Sequence, residues 1–192
     1  LLRSRRDRLT GILNGVDDSA WNPATDPALP ARYDARSLAG KQACRAALAA
    51  RAGFGTAADQ PLLGMVTRLA EQKGIDLTLG ALAPRLERGE LRAVILGQGE
   101  ERYVAALREL AARFRDRFHY FDAQDEDLAR LVFAGADGFL VPSLYEPCGL
   151  TQLYALRYGA VPVVRETGGL KDTVQHFDGR AGNGSVFKDA DV

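Results

Sequence analysis

Short apolar runs alternate with amphipathic stretches along most of this chain. The apolar runs predict buried strands at Leu62–Thr67, Ala93–Leu96, Phe118–Phe121, Phe139–Val141 and Val161–Val164. The intervening stretches predict helices at Ile75–Leu86, Glu101–Arg115 and Glu126–Phe133, because their apolar residues recur at helical spacing. Strands that alternate with helices in this way predict an α/β fold: an open, mostly parallel Rossmann-like sheet with right-handed crossovers and helices on both faces.

The two ends of the chain give weaker patterns. Leu9–Leu13 predicts a short strand that ends at the Asn14-Gly15 turn signal. The proline-rich stretch Asp17–Tyr33 predicts an ordered surface loop. Ser37 is placed to cap a helix that runs to about residue 51. Near the other end, residues 178–189 predict a loop with a short strand around position 186.

Length and charge limit the possible functions. The chain of 192 residues is long enough for one domain with its own core. Its 25 basic and 25 acidic side chains balance to a net charge of zero, which argues against a nucleic-acid partner. No apolar run approaches the roughly 18 residues that a membrane span needs, so no membrane partner is expected. The chain begins at Leu1 and its one methionine is Met65, which suggests a fragment or a processed product.

Thiol and imidazole groups are too few and too scattered for a metal centre. Cys44 and Cys148 lie far apart, and the chain has only His119 and His176 besides. We therefore expect no metal and no cofactor, and reduced thiols in a cytoplasmic protein. Cys148 as a catalytic nucleophile would need a histidine nearby, and neither histidine has a motif around it, so packing in a tight turn is favoured.

Candidate chemistry lies where two predicted strands end. The strand Phe139–Val141 stops at Pro142, and Glu146 follows in the loop before a helix that we expect to start at Gly149. The strand at 161–164 is followed by the turn Thr167-Gly168-Gly169, ahead of Leu170. Ligands of open α/β sheets bind outside the carboxyl ends of the strands, and glycine-rich helix starts let backbone N–H groups approach an anion. Glu146 could equally serve as a helix cap or an arginine partner.

Two cations are predicted at the same edge of the sheet. Arg68 follows the strand Leu62–Thr67, and Lys73 precedes the helix that begins near Gly74. A guanidinium and an ammonium together suit a diphosphate. An Arg and a Lys five positions apart also recur by chance in a charged chain, so position alone leaves both readings open.

Three segments carry a resemblance to a known family. EPCGLTQLYALRYG with VPVVRETGGLKDTV (Glu146–Val174), RLAEQKG (Arg68–Gly74) and GILNGVDDSAWNPATDP (Gly11–Pro27) stand in one order along the chain. Together they resemble the nucleotide-sugar-binding domain of bacterial glycogen synthase and plant starch synthase. The resemblance implies one half of a two-domain GT-B fold, with residues 1–36 as interdomain segment and entry loop, residues 37–192 as the C-terminal donor-binding domain, and the N-terminal acceptor domain absent.

The resemblance also implies roles for individual residues. The resemblance implies catalytic roles for Glu146, at the donor sugar, and for Arg68 and Lys73, at the diphosphate. Substrate-binding roles fall on Asn14, Gly97, Gly99, Cys148, Gly149, Leu150, Thr151, Thr167, Gly168, Gly169 and Leu170. A plain strand-to-helix turn explains Gly97-Gln98-Gly99 nearly as well as a nucleotide contact.

Two positions distinguish this chain within the wider family. Many related transferases carry a second glutamate eight positions after the first, where this chain has Tyr154, which fits the glycogen and starch synthase branch. The family often stacks an aromatic residue on adenine, and the matching position here is Gln124, so the base preference is open.

The activity implied by the resemblance is transfer of glucose from ADP-glucose to an α-1,4-glucan with retention of configuration. ADP-glucose or ADP would bind this chain, and the glucan would bind the absent N-terminal domain. Two alternatives remain open from the sequence: a non-catalytic module that binds a nucleoside diphosphate, and a GT-B transferase that uses UDP-sugars.

Overall fold

The fold is a single parallel sheet with helices on both faces. A computed structural model describes residues 3–55 and 59–191. Within these ranges the strands are β1 (Leu62–Val66), β2 (Arg92–Leu96), β3 (Phe118–Phe121), β4 (Gly138–Val141), β5 (Val161–Arg165) and β6 (Ser185–Phe187). The strand order is β3-β2-β1-β4-β5-β6, and every neighbouring pair is parallel. The predicted open α/β sheet is therefore confirmed, and the described sheet is entirely parallel.

The helices divide between the two faces of the sheet. They are α1 (Ala39–Arg51), α2 (Ile75–Glu87), α3 (Glu101–Arg113), α4 (Glu126–Gly135), α5 (Thr151–Arg157) and α6 (Gly168–Thr173), with 3₁₀ turns at Arg3–Arg8 and Glu71–Lys73. One apolar core joins α2 and α3 to β1, β2 and β3. The other joins α1, α4, α5 and α6 to the opposite face. The chain reverses its direction of travel across the sheet between β3 and β4, so β1 and β4 lie side by side. Their carboxyl ends define the switch point at which open sheets bind ligands.

Three local predictions are corrected by the structure. The predicted strand Leu9–Leu13 is wrong, because this segment has no strand pairing and Ile12 is 89% exposed. Ser37 does not cap α1: Leu38 is the N-cap residue, and Ser37 forms an isolated bridge with Asp34 instead. Helix α5 begins at Thr151 rather than at Gly149.

A partly buried lysine joins the ends of two helices. Lys41 on α1 donates hydrogen bonds from Nζ to the carbonyl oxygens of Ala134, Ala136 and Tyr158, at 2.9–3.0 Å. Those carbonyls lie at the carboxyl ends of α4 and α5, where a positive charge is favoured by the helix dipole. Burial lowers the pKa of Lys41 to about 8, so the group is still largely protonated at pH 7.

We expect Lys41→Met to lower the free energy of unfolding by about 1–3 kcal/mol at pH 7, because the carbonyls of Ala134 and Ala136 lose this donor, whereas that of Tyr158 keeps the Tyr33 hydroxyl. Urea unfolding followed by circular dichroism measures this loss. The matched control is Lys188→Met, because Lys188 is exposed (79%) and its nearest partner, Glu166, is 3.7 Å away. Equal stability of the two variants would show that the three hydrogen bonds of Lys41 do not stabilise the fold.

Candidate active site at the carboxyl edge of the sheet

The loops that follow β1 and β4 pack directly against each other. Gly74 has a φ of +67°, and a Cβ at this position would lie 2.1 Å from the carbonyl oxygen of Pro142. Only glycine adopts this positive φ and fits this close contact without strain. The N–H of Leu144 donates to the carbonyl of Gln72 at 2.8 Å, and the side chain of Gln72 donates to the carbonyl of Tyr145 at 3.1 Å. This backbone contact brings residue 73 to the loop that carries residue 146.

Lys73 and Glu146 form an ion pair in the site. Lys73 Nζ lies 2.6 Å from Glu146 Oε2, and the two side chains are only 22% and 11% exposed. The hydroxyl of Ser143 donates to the same carboxylate oxygen at 3.0 Å. The sequence predicted that these two charged groups share one edge of the sheet, which is confirmed, but it did not predict the direct contact. A carboxylate held by a cation and a hydroxyl has a fixed orientation.

Two adjoining cavities lie at the end of β1, and Lys73 of this ion pair lines the smaller one. The small cavity, about 150 Å³, is lined by Arg68, Lys73, Ser143 and Thr151 among others. The large cavity, about 660 Å³, is lined by Arg68 and Thr151 again and extends to Gln124. Because Arg68 and Thr151 line both, the cavities adjoin at the ends of β1 and α5. Arg68 is exposed, and its guanidinium contacts only the Gln72 amide oxygen, at 3.3 Å, among the hydrogen bonds of the described residues.

Gly97 and Gly99 line the large cavity, but packing explains why both are glycines. A Cβ on Gly97 would lie 1.8 Å from the carbonyl oxygen of Thr67, and one on Gly99 would lie 2.0 Å from that of Leu69. The loop after β2 therefore lies directly on the loop after β1. A nucleotide contact is compatible with this packing, because glycines have no side chain that would fill the cavity.

The glycines after β5 pack against the loop that carries Glu146. The N–H of Gly169 donates to the carbonyl oxygen of Glu146 at 3.0 Å. A Cβ on Gly168 would lie 2.0 Å from that oxygen, and a Cβ on Gly169 would lie 2.2 Å from the carbonyl oxygen of Cys148. The N–H groups of Thr167 and Leu170 donate to the carbonyls of Arg165 and Thr167, at 2.8 and 3.1 Å. A diphosphate that binds the N–H groups of Thr167, Gly169 or Leu170 would have to replace these carbonyl acceptors, so the predicted anion site remains a prediction.

The turn before α5 is held from two sides. The N–H of Asn14 donates to Cys148 Sγ at 3.1 Å, which places the predicted residue Asn14 at the predicted residue Cys148. Gln152 is fully buried, and its amide donates to the carbonyls of Cys148 and Gly149, each at 3.1 Å. Leu150 is the N-cap residue of α5. The structure thus gathers residues 148–151 and Asn14 beside Glu146.

Sequence reasoning missed three residues of this site. Ser143, Gln72 and Gln152 carry no distinctive motif, yet each fixes part of the loop around Glu146. Ser143 could have been found from its place directly after the strand end at Pro142. Gln72 donates to the carbonyl of Tyr145, which is distant in sequence. Gln152 donates to carbonyls about one helical turn before it. A local sequence pattern reveals neither contact.

Residues 3–55 and 59–191 show no group of three or more His, Cys, Asp or Glu side chains placed to hold a metal ion. In the same ranges, each helix is too short or too polar to cross a bilayer.

The fold and the site define a class of protein. A six-stranded parallel sheet in this order, with a lysine–carboxylate pair and an arginine beside cavities at its switch point, is a Rossmann-type ligand-binding domain. Residues 49–192 match the family Glycosyl transferases group 1, and the chain belongs to that family.

Several known proteins are similar to this chain over its whole length. A glycogen synthase of Anaeromyxobacter dehalogenans (strain 2CP-C) is 52% identical over 100% of this chain and 40% of its own. A glycogen synthase of Desulfatibacillum aliphaticivorans is 49% identical over 97% of this chain and 39% of its own. This chain therefore spans about two fifths of the length of these curated relatives.

A solved structure confirms the GT-B-like fold. The catalytic domain of starch synthase IV from Arabidopsis thaliana, bound to ADP and acarbose, superposes with a TM-score of 0.93 at 38% identity, over 99% of this chain and 40% of that one. The Anabaena protein HepE in complex with UDP-glucose shares the fold with a TM-score of 0.67 at 23% identity, over 96% of this chain and 45% of that one.

Proposed function

We propose that this chain is the donor-binding half of a retaining glucosyltransferase that transfers glucose from ADP-glucose to an α-1,4-glucan, as in glycogen and starch synthesis. The observation that carries the proposal is the Lys73–Glu146 pair beside two adjoining cavities: Lys73 and Arg68 line the small cavity, and Arg68 also lines the large one. The relatives support it, because the similar bacterial proteins are glycogen synthases and the similar plant structure holds ADP.

The two cations have the chemistry that a diphosphate leaving group needs. Negative charge grows on the diphosphate as the bond to the anomeric carbon breaks, and preorganised cations stabilise it. Arg68 is exposed at the junction of the cavities and offers a planar fork of donors. Lys73 lies in the small cavity and offers a compact charge. We propose that the exposed Arg68 is the first of the two cations to contact the diphosphate. We propose that Lys73 then contacts both the diphosphate and Glu146.

Glu146 is proposed to act at the sugar. Positive charge develops at the anomeric carbon in an oxocarbenium-like transition state, and a nearby carboxylate stabilises it. The pair with Lys73 and the hydroxyl of Ser143 fix the orientation of the Glu146 carboxylate. The turn Thr167–Leu170 sits directly behind the Glu146 backbone, so we propose that it supports this loop as well as facing the donor.

The glucan and the second wall of the site are proposed to come from an N-terminal domain. Residues 1–36 would connect the two domains, and the exposed apolar side chains Leu9 (54%), Ile12 (89%) and Leu13 (49%) support such a contact. A cytoplasmic location is proposed as well, because Cys44 and Cys148 are both free thiols.

The proposal is tested by glucose transfer in the full-length protein. With labelled ADP-glucose and glycogen, we expect incorporation of label that exceeds the rate with labelled UDP-glucose by at least about tenfold. Residues 1–192 alone should give no measurable incorporation, because we propose that the wall that positions the glucan and excludes water belongs to the N-terminal domain. A UDP-glucose preference would indicate the alternative donor, and activity with neither donor would favour a non-catalytic binding module. Robust transfer by the isolated chain would contradict the proposed mechanism.

Arg68→Ala is expected to weaken ADP binding to this chain by about tenfold to a hundredfold, because it removes a charge-assisted contact of about 1.5–3 kcal/mol. The side chain is exposed and bonds weakly within the protein, so the fold should not change. Calorimetric titration with ADP measures the affinity. Arg113→Ala is the matched control: that guanidinium is 57% exposed and pairs with Glu87 at 2.9 Å, at the far end of α3. Equal ADP affinity in both variants would remove Arg68 from the site.

A further inference from the structure

The segment of residues 14–21 lies along helix α5 and runs in the same direction as the helix. At the start of α5, the N–H of Asn14 donates to Cys148 Sγ at 3.1 Å. At its end, Arg157 donates from Nε to the carbonyl of Trp21 at 3.2 Å and pairs with Asp18 at the same distance. The segment is thus attached at both ends of the helix that begins at the candidate site.

Trp21 is held on both faces of its ring. Its indole stacks on Tyr154 of α5, with ring centroids 3.9 Å apart and planes 14° from parallel. The guanidinium carbon of Arg130 on α4 lies 4.1 Å from the indole centroid, and it must cover the other face because Tyr154 occupies the first. The edge of Trp21 also contacts Phe133, at a centroid distance of 6.0 Å. Stacking and cation–π contact together fix the ring.

Arg130 is itself immobilised. Its Nη1 donates to the carbonyl of Ala20 at 2.6 Å and to Asp26 Oδ2 at 3.1 Å, and its Nη2 donates to Glu126 at 2.6 Å. The Asp26 side chain is fully buried and also accepts a hydrogen bond from the Tyr158 hydroxyl. The charged group above Trp21 is therefore part of a rigid network rather than a mobile surface side chain.

The part of the segment nearest the site has little else to hold it. Among the described residues, the stretch 10–16 makes its one hydrogen bond to the rest of the domain through Asn14, and the acceptor is a weakly accepting sulfur. Asn14 is exposed. Its place beside Cys148 therefore depends on the anchor that follows it in the chain, at Trp21.

We propose that Trp21 is a positioning residue for the candidate donor site: by fixing the 14–21 segment along α5, it places Asn14 against the Cys148 turn. Tyr154, which stands where many related transferases carry a second glutamate, then serves as the surface on which Trp21 rests. The effect on donor binding rests on the proposed function; the position of the segment itself does not.

The two cysteines offer a direct test in this chain. Cys44 is 0% exposed, whereas Cys148 is partly exposed beneath Asn14. Labelling with iodoacetamide, followed by mass spectrometry of the two cysteine peptides, reports on the segment at Cys148 and on the fold at Cys44. We expect Trp21→Ala to label Cys148 at least about tenfold faster than the unchanged chain, since local release of a cover raises thiol access. Trp21→Phe should stay within about twofold because it retains the stack on Tyr154.

Three outcomes of the labelling would overturn the proposal. One is an unchanged rate at Cys148 in Trp21→Ala. Another is an equal rise in Trp21→Phe, which would show that stacking is not what holds the segment. The third is labelling of Cys44 in Trp21→Ala, which would show that Trp21 holds the whole domain together instead.

An ADP titration then tests the functional consequence. Trp21→Ala should weaken ADP binding by about fivefold to tenfold. The same substitution on an Asn14→Ala background should change it by less than about twofold, because we propose that Trp21 acts by placing the Asn14 side chain at the donor, and alanine lacks that side chain. Equal losses on both backgrounds would overturn the route through Asn14. If the unchanged chain binds no ADP, the proposed function fails, while the labelling still decides whether Trp21 positions the segment.

Discussion

Glu146→Gln is expected to lower the kcat of the full-length protein by about a hundredfold or more, while ADP affinity changes by less than about threefold. The substitution keeps the shape of the side chain and its reach to Ser143. It removes the negative charge that we propose at the anomeric carbon, where ADP has no contact. Steady-state kinetics with ADP-glucose and calorimetry with ADP separate the two effects.

Glu166→Gln provides the matched control for this variant. Glu166 is 27% exposed and lies 3.5 Å from Lys171 and 3.7 Å from Lys188, so it too is a partly buried carboxylate near lysines. It should retain nearly full kcat. A near-normal kcat in Glu146→Gln would reduce Glu146 to a structural partner of Lys73.

Gly169→Ala is expected to weaken ADP binding by more than about tenfold and to lower stability by about 1–3 kcal/mol. The added methyl group would lie 2.2 Å from the carbonyl oxygen of Cys148, which is backbone and cannot rotate away. The turn at Cys148 must shift, and Glu146 shifts with it because its carbonyl accepts from the Gly169 N–H. Calorimetry and urea unfolding measure the two losses.

The control for Gly169→Ala is Gly11→Ala, since a Cβ on Gly11 meets no atom within 4 Å. That variant should match the unchanged protein in both measurements. ADP affinity that survives Gly169→Ala would show that the donor does not depend on the position of the Cys148 turn.

The strands and most helices could be predicted because their apolar patterns are local. For α3, the predicted buried stripe of Val104, Leu107 and Leu110 is confirmed. Leu9–Leu13 shows the limit of such patterns: an apolar run forms a strand only where a neighbouring strand accepts its hydrogen bonds, and none of the described strands lies beside it.

The site was predictable in its parts but not in its contacts. Arg68, Lys73 and Glu146 could each be placed at the carboxyl edge, because that edge follows from strand direction alone. The hydrogen bond between Lys73 and Glu146 depends on how closely two loops pack at Gly74 and Pro142, and no local pattern encodes that distance. The glycines at 168 and 169 predicted an anion-binding turn. In the structure, their lack of a side chain lets the backbone of residues 146–148 pack directly against them.

The central claim is that the diphosphate of the donor binds between Arg68 and Lys73, and a crystal structure of this chain with ADP tests it most directly. The account predicts phosphate oxygens within hydrogen-bonding distance of both side chains, about 2.7–3.2 Å, with the base in the large cavity near Gln124. Well-defined ADP bound elsewhere on the domain, with the Arg68 and Lys73 side chains free of it, would contradict the account.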